Sequence, residues 1–256
     1  MFRLLSILLL LGGQLIAQGP PLLTEKMIML GQGNGTSRVL YIYSNADRFN
    51  ARYIMPTIDY NLTNKISLEL GLPFQQYIGS SKNFKLSDIM ISGKYQNLKV
   101  DFHGKTIRIS SKIGHSFYVA KQHGHIRPSG TMIWGSYGGV IVGMESLKLG
   151  VIGDFGFSYV RDIFPQQNET FFQGKLSFGF PMLKPIFPIR QLNLYIESEL
   201  TKQINATSSV FYLAPGIQYV FGELAFEFFY QRQILQYGNN NYYPNETFGG
   251  GLRFIY

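Results

Sequence analysis

The chain has 256 residues, 45% of them hydrophobic, only 15% charged and 15% aromatic, with 28 Gly, no Cys and a formal charge of +8. The absence of cysteine removes disulfide frameworks, thiol nucleophiles, Cys-based zinc sites and iron–sulfur clusters. The basic residues are scattered and never form the Lys/Arg-rich run of a nucleic-acid patch, so the charge points to anionic lipid and not to nucleic acid.

In chain order, residues 1–17 are expected to be a secretory signal peptide: Arg3, a nearly unbroken aliphatic run from Leu4 to Leu11, then Leu15-Ile16-Ala17 before Gln18. Gly12-Gly13-Gln14 interrupts the apolar stretch well short of the roughly 20 residues of a membrane-spanning helix. Residues 18–35 carry Pro20-Pro21-Leu22-Leu23 and Met27-Ile28-Met29-Leu30 before a Gly31-Gln32-Gly33-Asn34-Gly35 turn cluster. They form an N-terminal segment expected in the periplasm or in the lumen of a barrel built from residues 36–256, with the rim as the plainer expectation.

Residues 36–256 alternate apolar and polar side chains, the signature of strands with one greasy and one wet face. In 223–234, Leu224, Phe226, Phe228, Tyr230 and Ile234 oppose Glu223, Ala225, Glu227, Gln231 and Gln233. The same holds for 191–201, 65–74, 105–119 and 247–256, each near the ten or so residues a tilted transmembrane strand requires. Weaker candidates at 37–44, 52–61, 86–95, 131–145, 147–160, 170–180 and 208–220 bring the total to about twelve. The fold class expected is all-β, a transmembrane antiparallel barrel of outer-membrane type, because only helices and closed barrels satisfy every backbone group in lipid. A soluble β-sandwich also alternates, but its strands average about 5–6 residues. Tyr256 as last residue, in phase with Phe254 and Leu252, resembles the terminal aromatic signature read by the barrel-insertion machinery, a partner during biogenesis.

An even strand count returns both ends to one side. With that side periplasmic, the inner turns are 62–64, 96–104, a break near Ser146, 181–190 and 221–222, and the outer loops are 45–51, 75–85, 120–130, 161–169, 203–207 and 235–246. On the polar parity, Glu69, Arg108, Lys112, Lys175, Glu197 and Glu227 are expected to form a lumen constriction. In it the fifth strand, with Arg108 and Lys112, would confront Glu227 on the eleventh. A self-neutralising structural network is the alternative. Lys82, Lys121 and Arg127, with Arg48 and Lys85 in or beside other outer loops, are expected to meet anionic lipid headgroups.

His123-Gly124-His125 lacks a nearby carboxylate, so no metal site is assigned, and no cofactor is expected. No catalytic residues are assigned either. Ser111, His115 and Ser136 share the lipid-facing parity, but Ser111 and His115 stand about 13 Å apart along a strand. Only a cross-strand pairing to Ser136 would bring a lipid-hydrolysing Ser–His pair within reach.

Several stretches have a familiar form: Pro21-Leu22-Leu23-Thr24-Glu25-Lys26, Leu30-Gly31-Gln32-Gly33-Asn34, Tyr60-Asn61-Leu62-Thr63-Asn64 leading to Leu68-Glu69-Leu70-Gly71-Leu72-Pro73-Phe74, then Ala214-Pro215-Gly216-Ile217-Gln218-Tyr219, Leu224-Ala225-Phe226-Glu227 and Gly250-Gly251-Leu252-Arg253-Phe254. Together they resemble the outer-membrane family named for the meta pathway of phenol degradation; residues 120–190 do not take part. The resemblance implies a monomeric bacterial outer-membrane channel for passive uptake of small aromatic or hydrophobic solutes, and supplies no ligand residues. A non-transporting structural or partner-docking barrel is the alternative, with a lipid hydrolase behind it.

Overall fold

The computed structural model describes residues 21–24, 26, 30–47, 49–79, 83–117, 119, 135–161, 168–183, 190–204, 206–238 and 243–256. Fourteen strand segments follow one another: β1 (Gly35–Ala46), β2 (Phe49–Asn61), β3 (Ile66–Gly71), β4 (Phe74–Tyr77), β5 (Lys85–Leu86), β6 (Ile89–Phe102), β7 (Lys105–Phe117), β8 (Ser136–Ser146), β9 (Gly150–Arg161), β10 (Asn168–Pro181), β11 (Arg190–Gln203), β12 (Ser209–Phe221), β13 (Leu224–Tyr237) and β14 (Glu246–Ile255). Each pairs antiparallel with its neighbour, and β1 pairs with both β14, from Thr36 opposite Ile255, and β2, from Gly35 opposite Tyr60. The sheet therefore closes on itself and has no free edge to satisfy in lipid.

Pro73 interrupts one stave and Ser87-Asp88 the next, so β3 with β4, and β5 with β6, each make a single broken stave. Proline cannot donate to a ladder, which accounts for the first break. Counted this way the barrel has twelve staves, as the alternation predicts. The outer-loop stretch 45–51 and the inner-turn stretch 96–104 turn out otherwise. Residues 49–51 already belong to β2, and β6 runs to Phe102 because a bulge at Asn97 absorbs the phase change between Gln96 and Leu98. Asn97 fills the ladder gap by donating to Ser111 Oγ at 3.0 Å while its own oxygen takes the Ser111 N–H at 3.2 Å.

The outward parity is apolar around the ring: Leu68 and Leu70, Ile91, Ile113, Phe155 and Phe157, Leu194 and Ile196, Phe226 and Phe228, and Leu252 and Phe254 are all exposed. That face needs hydrocarbon around it. The inward parity is polar on most staves, with Lys94, Lys112, Asp154, Asn193, Glu197, Gln218, Glu227 and Arg253 buried. On β1 and β2, however, both parities are apolar. Leu40, Ile42, Ala51, Tyr53 and Met55 point inward and pack with Tyr195, Ala214 and Phe229 in one buried cluster. The Phe229 ring lies over Gly249 on the neighbouring stave, where any Cβ would overlap it. This inner cluster also contains Leu22 and Leu23, which belong to no strand.

Candidate functional site

Leu22 and Leu23 are 1% and 5% exposed, so residues 21–24 lie inside the barrel and not along its rim. Three successive backbone N–H groups, of Leu22, Leu23 and Thr24, donate to the Glu197 carboxylate at 3.2, 2.6 and 3.4 Å. Such a concave run of amides is a natural seat for an anion, and here the anion comes from β11. From the other side Arg38 donates to the Leu22 carbonyl at 2.7 Å, Arg253 to the Pro21 carbonyl at 3.2 Å, and Lys94 to the Lys26 carbonyl at 2.6 Å. Lys26 itself pairs with Asp59 at 2.8 Å and donates to Thr36 Oγ1 at 2.9 Å.

Both guanidiniums are held by Glu227, with Arg38 Nε 2.6 Å and Arg253 Nε 2.9 Å from its two oxygens. Gln218 donates to the same carboxylate at 2.8 Å, and Asn193 donates to Gln218 at 3.1 Å. Five adjoining staves, β11 to β14 and β1, thus build one dry network around Glu227. A charge so deprived of water is tolerable only when every lone pair is used. A small hollow open to solvent remains beside the segment, lined among others by Pro21, Leu23, Lys26, Asp59 and Arg253.

Against this geometry the six expected lumen residues divide. All six stand on the inward parity of their staves. Glu197 and Glu227 belong to the seat just described, and Glu227 is met by Arg38 and Arg253 on its own side of the wall, where the sequence reading placed Arg108 and Lys112 opposite it. Lys112 lies 3.8 Å from Glu69, to which Ser92 also donates at 3.4 Å. Lys175 stands directly across the β10–β11 ladder from Glu199 and lines a smaller space with Leu23 and Glu197. Arg108 Nε is buried without a hydrogen-bond acceptor among the described residues. The cross-lumen confrontation does not form because charges on neighbouring staves are nearer to each other and the N-terminal segment fills the space between.

The sequence reading missed Arg38, Arg253, Asp59 and Lys94. Arg253 was on the wet parity and available to it; Arg38 shares its parity with Leu40 and Ile42, which hides it. The expected headgroup residues Lys82, Lys121 and Arg127 lie outside the described residues, as do Arg48, His123, His125 and the signal peptide. On the outer wall the cross-strand pairing does occur: His115 Nδ1 and Ser136 Oγ are 2.9 Å apart. The imidazole packs edge-on to Phe117 at 4.6 Å, and no carboxylate among the described residues orients it. The pair therefore lacks the third group that fixes a catalytic tautomer.

A closed twelve-stave antiparallel barrel with a hydrocarbon-facing exterior and a polar interior defines an outer-membrane β-barrel protein. An outer-membrane channel from Pseudomonas putida F1 shares this fold with a TM-score of 0.58 at 10% identity, over 90% of this chain and 97% of that one. The NanC porin does so with a TM-score of 0.53 at 11% identity, over 86% and 98%. At such identity the likeness is one of fold. No family profile matches the sequence, and no curated protein matches it.

Proposed function

We propose that this outer-membrane barrel is a passive channel for small aromatic or hydrophobic solutes whose lumen is held shut by residues 21–24 and Lys26. The observation that carries the reading is the seating of Leu22–Thr24 on Glu197 inside a closed wall. The apolar inner surface of β1 and β2, with Tyr53, Met55 and Phe229, favours such solutes over sugars. The sequence likeness to the outer-membrane family named for the meta pathway of phenol degradation points to the same class.

Removal of residues 18–26 should raise conductance in planar bilayers at least tenfold and admit phenol into proteoliposomes faster than glucose. A truncated barrel that folds yet stays silent in both assays would leave the docking-barrel alternative standing instead.

A further inference from the structure

The polar contacts that seat the segment have one property in common: apart from those made by the Lys26 ammonium, all of them read main chain. Glu197 takes three amides, while Arg38, Arg253 and Lys94 each give to a carbonyl. The Thr24 hydroxyl is buried with no hydrogen-bond partner among the described residues, so its side chain is enclosed but not recognised. Leu22 and Leu23 enter an apolar hollow, and Leu22 sits over Gly216, where any Cβ would overlap its Cδ1. The charges around the seat balance, three carboxylates in Glu197, Glu227 and Asp59 against the cations of Arg38, Arg253 and Lys94.

Such a wall has the complement of a short, uncharged, curled peptide with aliphatic side chains. Every peptide offers amides and carbonyls in the same order along its chain. A phenol, with a single hydroxyl, could occupy one lone pair of Glu197 but would leave both guanidiniums without their outer acceptors. We propose that the lumen is a recognition site for short neutral aliphatic peptides, and that residues 21–24 are its tethered stand-in. This rests on the channel reading and narrows its hydrophobic solutes to short aliphatic peptides in place of aromatics.

A tether of this length presents the segment at an effective concentration in the millimolar range, so free peptide must be supplied at about that level to compete. The probe is acetyl-Pro-Leu-Leu-Thr-amide, with a control N-methylated at the second leucine, which removes the amide equivalent to that of Leu23. In calorimetry on the detergent-purified barrel lacking residues 18–26, the probe should bind, and N-methylation or Glu197→Gln should each weaken it at least tenfold. Equal binding of probe and control, or binding of neither, overturns the proposal.

The full chain gives a second measurement that does not depend on the truncated one folding. The protein has no cysteine, so Thr24→Cys provides a single thiol in the seat. Free probe should speed its labelling by a maleimide at least fivefold and the N-methylated control should not; a rate unmoved by either overturns the proposal as well. Conductance of the truncated barrel, recorded in parallel, separates the two readings. Peptide binding without conductance removes the channel and leaves the recognition site, whereas conductance without peptide binding does the reverse.

Discussion

On the wall formed by β1 and β11–β14, Glu197, Glu227, Arg38 and Arg253 are each closed by short contacts, and the Glu227 side chain is wholly withdrawn from solvent. Across the lumen, on β3, β6 and β7, Glu69 keeps 28% of its side chain exposed and stands 3.8 Å from Lys112. The difference lies in what each wall faces. The first is covered by a stretch of main chain that supplies its missing donors and acceptors, and that cover lets strong charges sit in a dry environment. The second meets the segment only where Lys94 donates to the Lys26 carbonyl; Lys94 and Lys112 are buried there too, and Glu69 alone keeps partial contact with water. A conduit opened by withdrawal of the segment would thus uncover the first wall most and take from the second the acceptor of Lys94.

Breaking the dry wall should have the largest effect. Glu227→Gln leaves two guanidiniums facing each other with no anion, and removing one partner of a buried ionic network costs about 3–5 kcal/mol. Denaturant unfolding in detergent should register it as a lowered midpoint. The matching change at the second wall, Glu69→Gln, should cost less, because the Glu69 carboxylate is partly solvated and stands 3.8 Å from Lys112. Equal losses for the two variants would mean that the walls do not differ as described.

A smaller change sharpens the comparison at the seat itself. Gly216→Ala places a methyl group against Leu22 Cδ1, with Phe228 O and Phe229 Cβ at 3.1 and 3.3 Å behind it. The leucine tip can move, so the strain of about 1 kcal/mol falls on the segment and not on the barrel. Open probability in single-channel records should rise by roughly three- to tenfold for a strain of that size. Gly138→Ala on β8, where nothing lies within 4 Å, should leave it unchanged.

The fold was legible because lipid imposes a simple rule on a barrel wall, grease outward, and β7, β11, β13 and β14 follow it over most of their length, with Ser111 and His115 among the polar exceptions. It was faint on β1 and β2 for a physical reason. There the inner face is apolar too, since Leu40, Ile42 and Met55 pack with Leu22 and Leu23, and period-two contrast disappears when both faces are greasy. Glu197 and Glu227 could be assigned to the lumen from parity alone. Their partners could not, because parity fixes which way a side chain points and says nothing of which stave stands beside it or what threads the middle. The seat depends on a segment whose own sequence, Pro21-Leu22-Leu23-Thr24, has no period at all and contributes mainly backbone.

Lys26 offers the finest test, through pH. Burial inside the lumen lowers its ammonium from the ordinary 10.5 to about 8, against the attraction of Asp59 and with the help of Lys94 and Arg253 nearby. A released segment would return Lys26 to water and to its ordinary value. Below pH 8 the amine is protonated in both states, and pH has no leverage on the equilibrium between them. Between about 8 and 10.5 the seated lysine sheds its proton while the released one keeps it, so release requires proton uptake and is progressively disfavoured. Open probability should therefore fall as pH is raised from 8 to 10, by about tenfold once residual solvation is allowed for. Lys26→Met should flatten that profile. A rise over the same interval would show that the ion pair with Asp59 outweighs the cost of burying the ammonium, and would reverse the role given to this contact in holding the segment against the covered wall.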